Sequence, residues 1–151
     1  MVRQLPPWFE NVGKRVVKSP KVHVRDSGLL HALLGIPDEA ALSGHPKLGA
    51  SWEGFVIEQI LAWAGERNAY FWATHSRAEL DLMVPAKGQR WGFEIKYQDA
   101  PTITKSMRIA MQDLKLAKLW VVYPGPTGYP MDEQIECVSP AELGRVREAL
   151  T

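Results

Sequence analysis

Four residues in the stretch "RAELDLMVPAKGQRWGFEIKYQ", residues 77–98, have the types and spacing for chemistry: Glu79, Asp81, Glu94 and Lys96. The stretch reads as two strands joined by a turn over residues 85–89, yet acids disfavour strands. A buried, unpaired carboxylate is costly unless it takes up a proton or finds a partner. Side chains alternate between the faces of a strand, so Glu79 and Asp81 should share a face, as should Glu94 and Lys96. If the strands are antiparallel neighbours, Asp81 and Glu94 converge near the strand ends. Two carboxylates beside a main-chain carbonyl, such as that of Ile95, are oxygen ligands suited to Mg²⁺. A lysine beside them suits phosphodiester chemistry, where it can orient or deprotonate the attacking water or neutralise charge on the phosphate. As a bare pattern, the same residues also describe an exposed hairpin with cross-strand ion pairs, for instance Lys96 against Asp81. The apolar surroundings, "LDLMV" and "GFEI", place the acids within a sheet, and Glu58 in the preceding segment could reach the same end.

The elements that must position these residues can be read from periodicity. From Ala50 to Asn68, apolar Trp52, Phe55, Val56, Ile60, Trp63 and Ala64 recur at three- and four-residue steps. This predicts an amphipathic helix of about four turns with Ser51 as its cap. "AYFWAT" reads as a strand before the two acid-bearing ones. "TKSMRIAMQDL" reads as a second helix of this core, and "AKLWVVY" as a strand buried on both faces. "QIECV" is a short last strand, and "SPAELGRVREAL" a closing helix with Ser139 at its cap and Pro140 in its first position. Upstream, Val22 to Val24 suggest a short strand, and "RDSGLLHALLG" a helix opened by Asp26 or Ser27 and closed at Gly35. Pro6-Pro7 breaks any early regular element. The expected class is mixed α/β (α+β), a central mixed sheet flanked by helices, with no internal repeat. The Ala50 to Asn68 helix should cover one face, and the second and last helices the other face or the edges. Residues 1–49 form a basic segment with a short strand and helix, residues 50–151 the αβββαβ core, together one compact domain.

Composition excludes several function classes. At 151 residues, 46% hydrophobic and 23% charged, the chain suits a single globular domain with a real core. No run approaches the length of a membrane span, and no basic-then-apolar leader opens it, so the expectation is a cytoplasmic protein. Cys137 stands alone, which removes an intrachain disulfide or a cysteine-built metal site. Net charge is +1, but residues 1–25 hold six Lys/Arg against one acid. Lys14, Arg15, Lys18 and Lys21 are therefore candidates for binding nucleic acid, or alternatively a solvated strand edge protected by lysines. The four histidines show no ligand spacing, and His75 reads as a turn residue. Ser27, Ser51 and Ser76 have no His-plus-acid arrangement in sequence. The aromatic residues fall mostly at core positions and read as packing.

With these residues in hand, the chain resembles the PD-(D/E)xK nuclease superfamily through "E-L-D…E-I-K" at Glu79, Asp81, Glu94 and Lys96, after a helix carrying Glu58. "KRVVKSPKVHVRDSGLLHALLGI", "WEGFVIEQIL", "FWATHSRAELDLMV" and "GFEIKY" together resemble the C-terminal domain of unknown function attached to many prokaryotic AAA-type ATPases. The resemblance covers nearly the whole chain from about Asn11. It implies a restriction-endonuclease-like core, with Asp81 and Glu94 holding Mg²⁺ or Mn²⁺, Lys96 as the catalytic lysine, and Glu58 supporting the metal or its waters; Glu53 is the lesser candidate for that last role. It further implies action on DNA. The proline before the first acid is absent, with Ala78-Glu79-Leu80 in its place. No G-x-x-x-x-G-K-[ST] loop is present, so there is no ATP site and the ATPase module is missing from this chain. A catalytically inactive module that binds nucleic acid or protein and regulates such an ATPase is the alternative.

Overall fold

In a computed structural model, residues 1–9, 17 and 19–151 are described. The core is a six-stranded mixed sheet of order β3-β4-β5-β6-β8-β7. Its strands are β3 (Tyr70–Ala73), β4 (Glu79–Ala86), β5 (Gln89–Ile95), β6 (Lys118–Val122), β7 (Tyr129–Pro130) and β8 (Ile135–Val138). The strands β3, β4 and β5 are antiparallel neighbours, whereas β5, β6 and β8 run parallel. A separate antiparallel pair, β1 (Val2–Leu5) and β2 (Lys21–Val24), precedes this sheet.

The β4–β5 hairpin is tighter than its composition suggested. Pro85 stays in the ladder opposite Arg90, and the turn is only Lys87-Gly88. Both turn residues have positive φ, 52° and 72°, the geometry of a two-residue hairpin turn whose twist matches the flanking strands. A glycine at the second position adopts that φ without strain.

The sheet lies between two helical layers. On one face, α3 (Leu48–Ala64) and α5 (Leu143–Leu150) pack through Val56, Ile57, Ile60, Leu61, Leu143, Val146 and Leu150 against Leu82, Val84, Phe93, Ile95, Trp120 and Val122. On the other, α4 (Lys105–Asp113) brings Met107 and Ala110 against Leu80, Met83, Leu119 and Val121. The closing helix therefore joins the long helix rather than the opposite face. Its entry explains this: Pro140–Glu142 forms a 3-10 turn straight after β8, and Glu142 accepts the N–H groups of Ser139 and Gly128. The mixed α+β class expected from periodicity is the class observed.

Two helix starts differ in instructive ways. In α1 (Ser27–Leu33), the Asp26 carboxylate accepts the Leu29 N–H at 2.8 Å, as a cap should. The long helix instead begins earlier than its predicted cap, at Leu48. Ser51 lies inside it, donating its N–H to Lys47 and placing its hydroxyl 2.6 Å from His31 Nε2. A short helix, α2 (Glu39–Ser43), capped by Asp38, completes the upstream layer. At the sheet edge, Pro6 and Trp8 exchange main-chain hydrogen bonds with Phe71 of β3. That segment covers an otherwise open strand edge.

Candidate active site

The site is built around an irregularity in β4. Between the pairs Trp72↔Leu80 and Tyr70↔Met83, β3 advances two residues and β4 three. The extra residue makes a bulge at Asp81 and Leu82. Leu80 and Leu82 consequently pack on opposite faces of the sheet although they are two residues apart. Simple alternation, which would set Asp81 and Glu94 against each other on one face, fails at this point. Asp81 meets Lys21 of β2, whereas Glu94 is in register with Val121 of the α4-side cluster. The two acids flank the end of the β4–β5 ladder, whose last pair is Leu82↔Phe93. Asp81 Oδ2 reaches across that end and accepts the N–H of Ile95, the residue after Glu94, at 2.8 Å.

Glu94 is 5% exposed. One of its oxygens, Oε1, meets Lys96 Nζ at 2.6 Å; the other, Oε2, is buried with no hydrogen-bond partner. Burial, and then the negative charge of Asp81, push its carboxyl up to about 7 in spite of Lys96. Burial acts on Lys96 in the opposite sense, but Glu94 outweighs it and holds the ammonium charged above its ordinary range.

Lys21 supplies the second cation. Its ammonium lies 2.6 Å from Glu53, 2.8 Å from Glu79 and 3.3 Å from Asp81. It reaches them because β2 runs against α3 at Gly54, where an added Cβ would lie only 3.3 Å from the His23 ring. Lys21 therefore points into the acid cluster rather than into solvent. Burial, and then Asp81, raise the Glu53 carboxyl, with Lys21 opposing them. Lys14, Arg15 and Lys18, the other basic candidates, lie outside the described residues.

Glu58 is not brought to this cluster. It is clamped by Arg3 through Nε at 2.7 Å and Nη2 at 2.8 Å, with His23 and Arg25 each at 3.2 Å. Burial would raise its carboxyl, but these partners prevail and hold it at about 2. Helical geometry explains the exchange of roles: positions five apart point about 140° away from one another. Glu53 therefore faces Asp81 while Glu58 faces Arg3. The signal available in sequence was the basic residue upstream, but nothing in its spacing told Arg3 from Lys21.

Among the described residues, no three His, Cys, Asp or Glu side chains are grouped to hold a metal ion. What the site offers is hard oxygen: the free Oε2 of Glu94, Asp81 Oδ1 and, behind Lys21, Glu53 and Glu79. Among the described residues, four carboxylates face two ammonium groups. An ion such as Mg²⁺, which retains several waters and asks few ligands of the protein, fits this donor set. No helix among the described residues is long and apolar enough to cross a membrane.

The fold and site define a mixed α/β domain with an acid-and-lysine cluster at the open end of its sheet. The chain belongs to the family described as Domain of unknown function (DUF4143), whose model matches residues 48–143. A second Domain of unknown function (DUF8612) matches residues 1–40. A protein of Mycobacterium bovis and one of Mycobacterium tuberculosis, both described as uncharacterized, are each 53% identical over 153 residues, covering 99% of this chain. The chain spans 35% of the length of these relatives. No solved structure matches.

Proposed function

We propose that this domain is a metal-dependent nuclease-like module acting on DNA. The observation that carries the reading is the buried Glu94, with one oxygen on Lys96, the other free, and its carboxyl raised by the neighbouring Asp81. Asp81 and Glu94 would hold Mg²⁺ or Mn²⁺, whose bound water supplies the nucleophile. Lys96, anchored by Glu94, stabilises charge on the phosphate or orients the water. Glu53 takes the helix-acid role that sequence gave to Glu58. The family's expected attachment to AAA-type ATPases, and the small share of the relatives that this chain spans, support a module working beside a further domain.

A second reading has its own observation. Lys21 bridges three of the four carboxylates, and a site neutralised in this way suits a binding or regulatory module that cuts nothing. One assay separates the two: the purified domain with labelled single-stranded, duplex and branched DNA, in Mg²⁺ and in Mn²⁺. Cleavage that disappears with chelator and in Asp81→Ala supports the nuclease. DNA that binds but is never cut leaves the binding module. With Lys96→Ala, metal binding should persist while cleavage is lost, because that change spares the ligands.

A further inference from the structure

Between the upstream helices and α3 lies a cavity of about 340 Å³ to which no role has yet been given. It falls within the range of small-molecule sites, about 300–1,000 Å³. Its aromatic side is formed by Trp52, Phe55 and Tyr97, with Trp52 in tilted contact with Phe55 and edge-on to Tyr97 at ring separations of 5.9 and 5.7 Å. Phe55 and Tyr97 are 38% and 48% exposed, although the helical period of α3 had assigned Phe55 to packing. Its polar side holds the His31–Ser51 pair and Glu39. Among the described residues no Lys or Arg lines it, and the Glu39 carboxylate repels phosphate. The ligand this combination selects is flat, uncharged, and bears hydrogen-bond donors at its rim.

Two of the cavity's lining residues are chain neighbours of the cluster. Trp52 immediately precedes Glu53, and Tyr97 immediately follows Lys96. From these observations we propose that the cavity is a subsite for a single unpaired nucleobase, stacked on Tyr97 and Phe55, with an exocyclic amino group offered to Glu39. Stacking on aromatic side chains tolerates every base, whereas the carboxylate favours adenine, cytosine and guanine over thymine. A base can enter only from a single strand or a frayed end, so the inference deepens the nuclease reading by giving its substrate class. It rests on that reading only for the adjoining phosphate, since base capture can be measured alone.

The test uses the 151-residue chain and two nucleosides without phosphate, adenosine and thymidine, in metal-free buffer. Binding is followed by NMR at the Trp52 indole N–H and the amides of residues 51–55 and 97. Adenosine should shift these signals and bind at least threefold more tightly than thymidine. Tyr97→Ala and Phe55→Ala, both at exposed positions, should each weaken adenosine at least fivefold; Glu39→Gln should erase the preference. Absence of adenosine binding, or equal binding by wild type, Tyr97→Ala and Phe55→Ala, overturns the subsite. Cleavage assays then separate the two ideas. A nuclease that cuts duplex and single strand equally, with Tyr97→Ala unimpaired, sinks the subsite and spares the catalytic reading. Nucleoside binding without any metal-dependent cleavage does the reverse.

Discussion

Helix α3 gives one acid to each of two clusters, and the two differ in how far their charges are paired. Around Glu58, the charges of the described residues balance: Arg3 binds it through two nitrogens, and Arg25 and Arg3 also share Glu66. Around Glu53, among the described residues, four carboxylates meet two ammonium groups and a buried oxygen of Glu94 goes without a hydrogen-bond partner. The Glu58 carboxyl is held at about 2, whereas that of Glu94 stands at about 7. One cluster has used its electrostatic free energy to tie β1 and β2 onto the helix. The other has left its own unresolved: burial and neighbouring acids hold the Glu53 and Glu94 carboxyls raised.

The largest expected effect tests the unresolved cluster. If the nuclease reading holds, Glu94→Ala and Asp81→Ala should each lower the single-turnover cleavage rate by about a thousandfold or more, since both take away a ligand of the ion. Arg3→Ala, at the balanced cluster, should leave the rate per folded molecule nearly unchanged.

Stability should respond in the opposite order. Arg3→Ala strands Glu58 in a partly buried position and should cost roughly 2–4 kcal/mol in urea unfolding. A loss below about 0.5 kcal/mol would mean that the guanidinium bridges are incidental.

The pH dependence sharpens the same contrast because the two signs differ. The Glu58 carboxyl is depressed on folding, so the stability it contributes is complete above the usual carboxylate range and is lost as pH falls toward about 2. The Glu94 carboxyl is raised, so the folded chain holds a proton that the unfolded chain releases between about 4.5 and 7. Glu94 therefore costs stability as pH rises through that window. Glu94→Gln should flatten the slope there and be about 1 kcal/mol more stable than the wild type at pH 8. Unfolding midpoints measured from pH 4 to pH 8 decide it.

The smallest effect concerns Lys21. Its removal deletes a cation that competes with any metal, so Lys21→Ala should bind Mn²⁺ about three- to tenfold more tightly, equivalent to roughly 1 kcal/mol. Titration calorimetry on the two proteins provides the comparison. Weaker binding would show that Lys21 supports the ion site rather than occupying it.

Much of this protein was decided by its sequence. Period-2 and period-3.6 patterns marked the principal strands and helices of the core, and the polar interruptions at Asp81, Glu94 and Lys96 in apolar strands marked the candidate site, because such interruptions are costly when unpaired. Capping by Asp26 was equally local and equally legible. What only the tertiary structure decided depends on contacts far apart in sequence. The bulge at Asp81 arises from pairing with β3, and it undid the alternation on which convergence with Glu94 had been argued. The choice of Glu53 over Glu58 follows from where along β2 each acid lands, Glu53 at Lys21 and Glu58 at His23. Lys21 and Arg3, 18 positions apart on paired strands, look alike in sequence as basic residues. They were sent to opposite clusters by the register Leu5↔Lys21 and Arg3↔His23, a long-range pairing that no local pattern encodes.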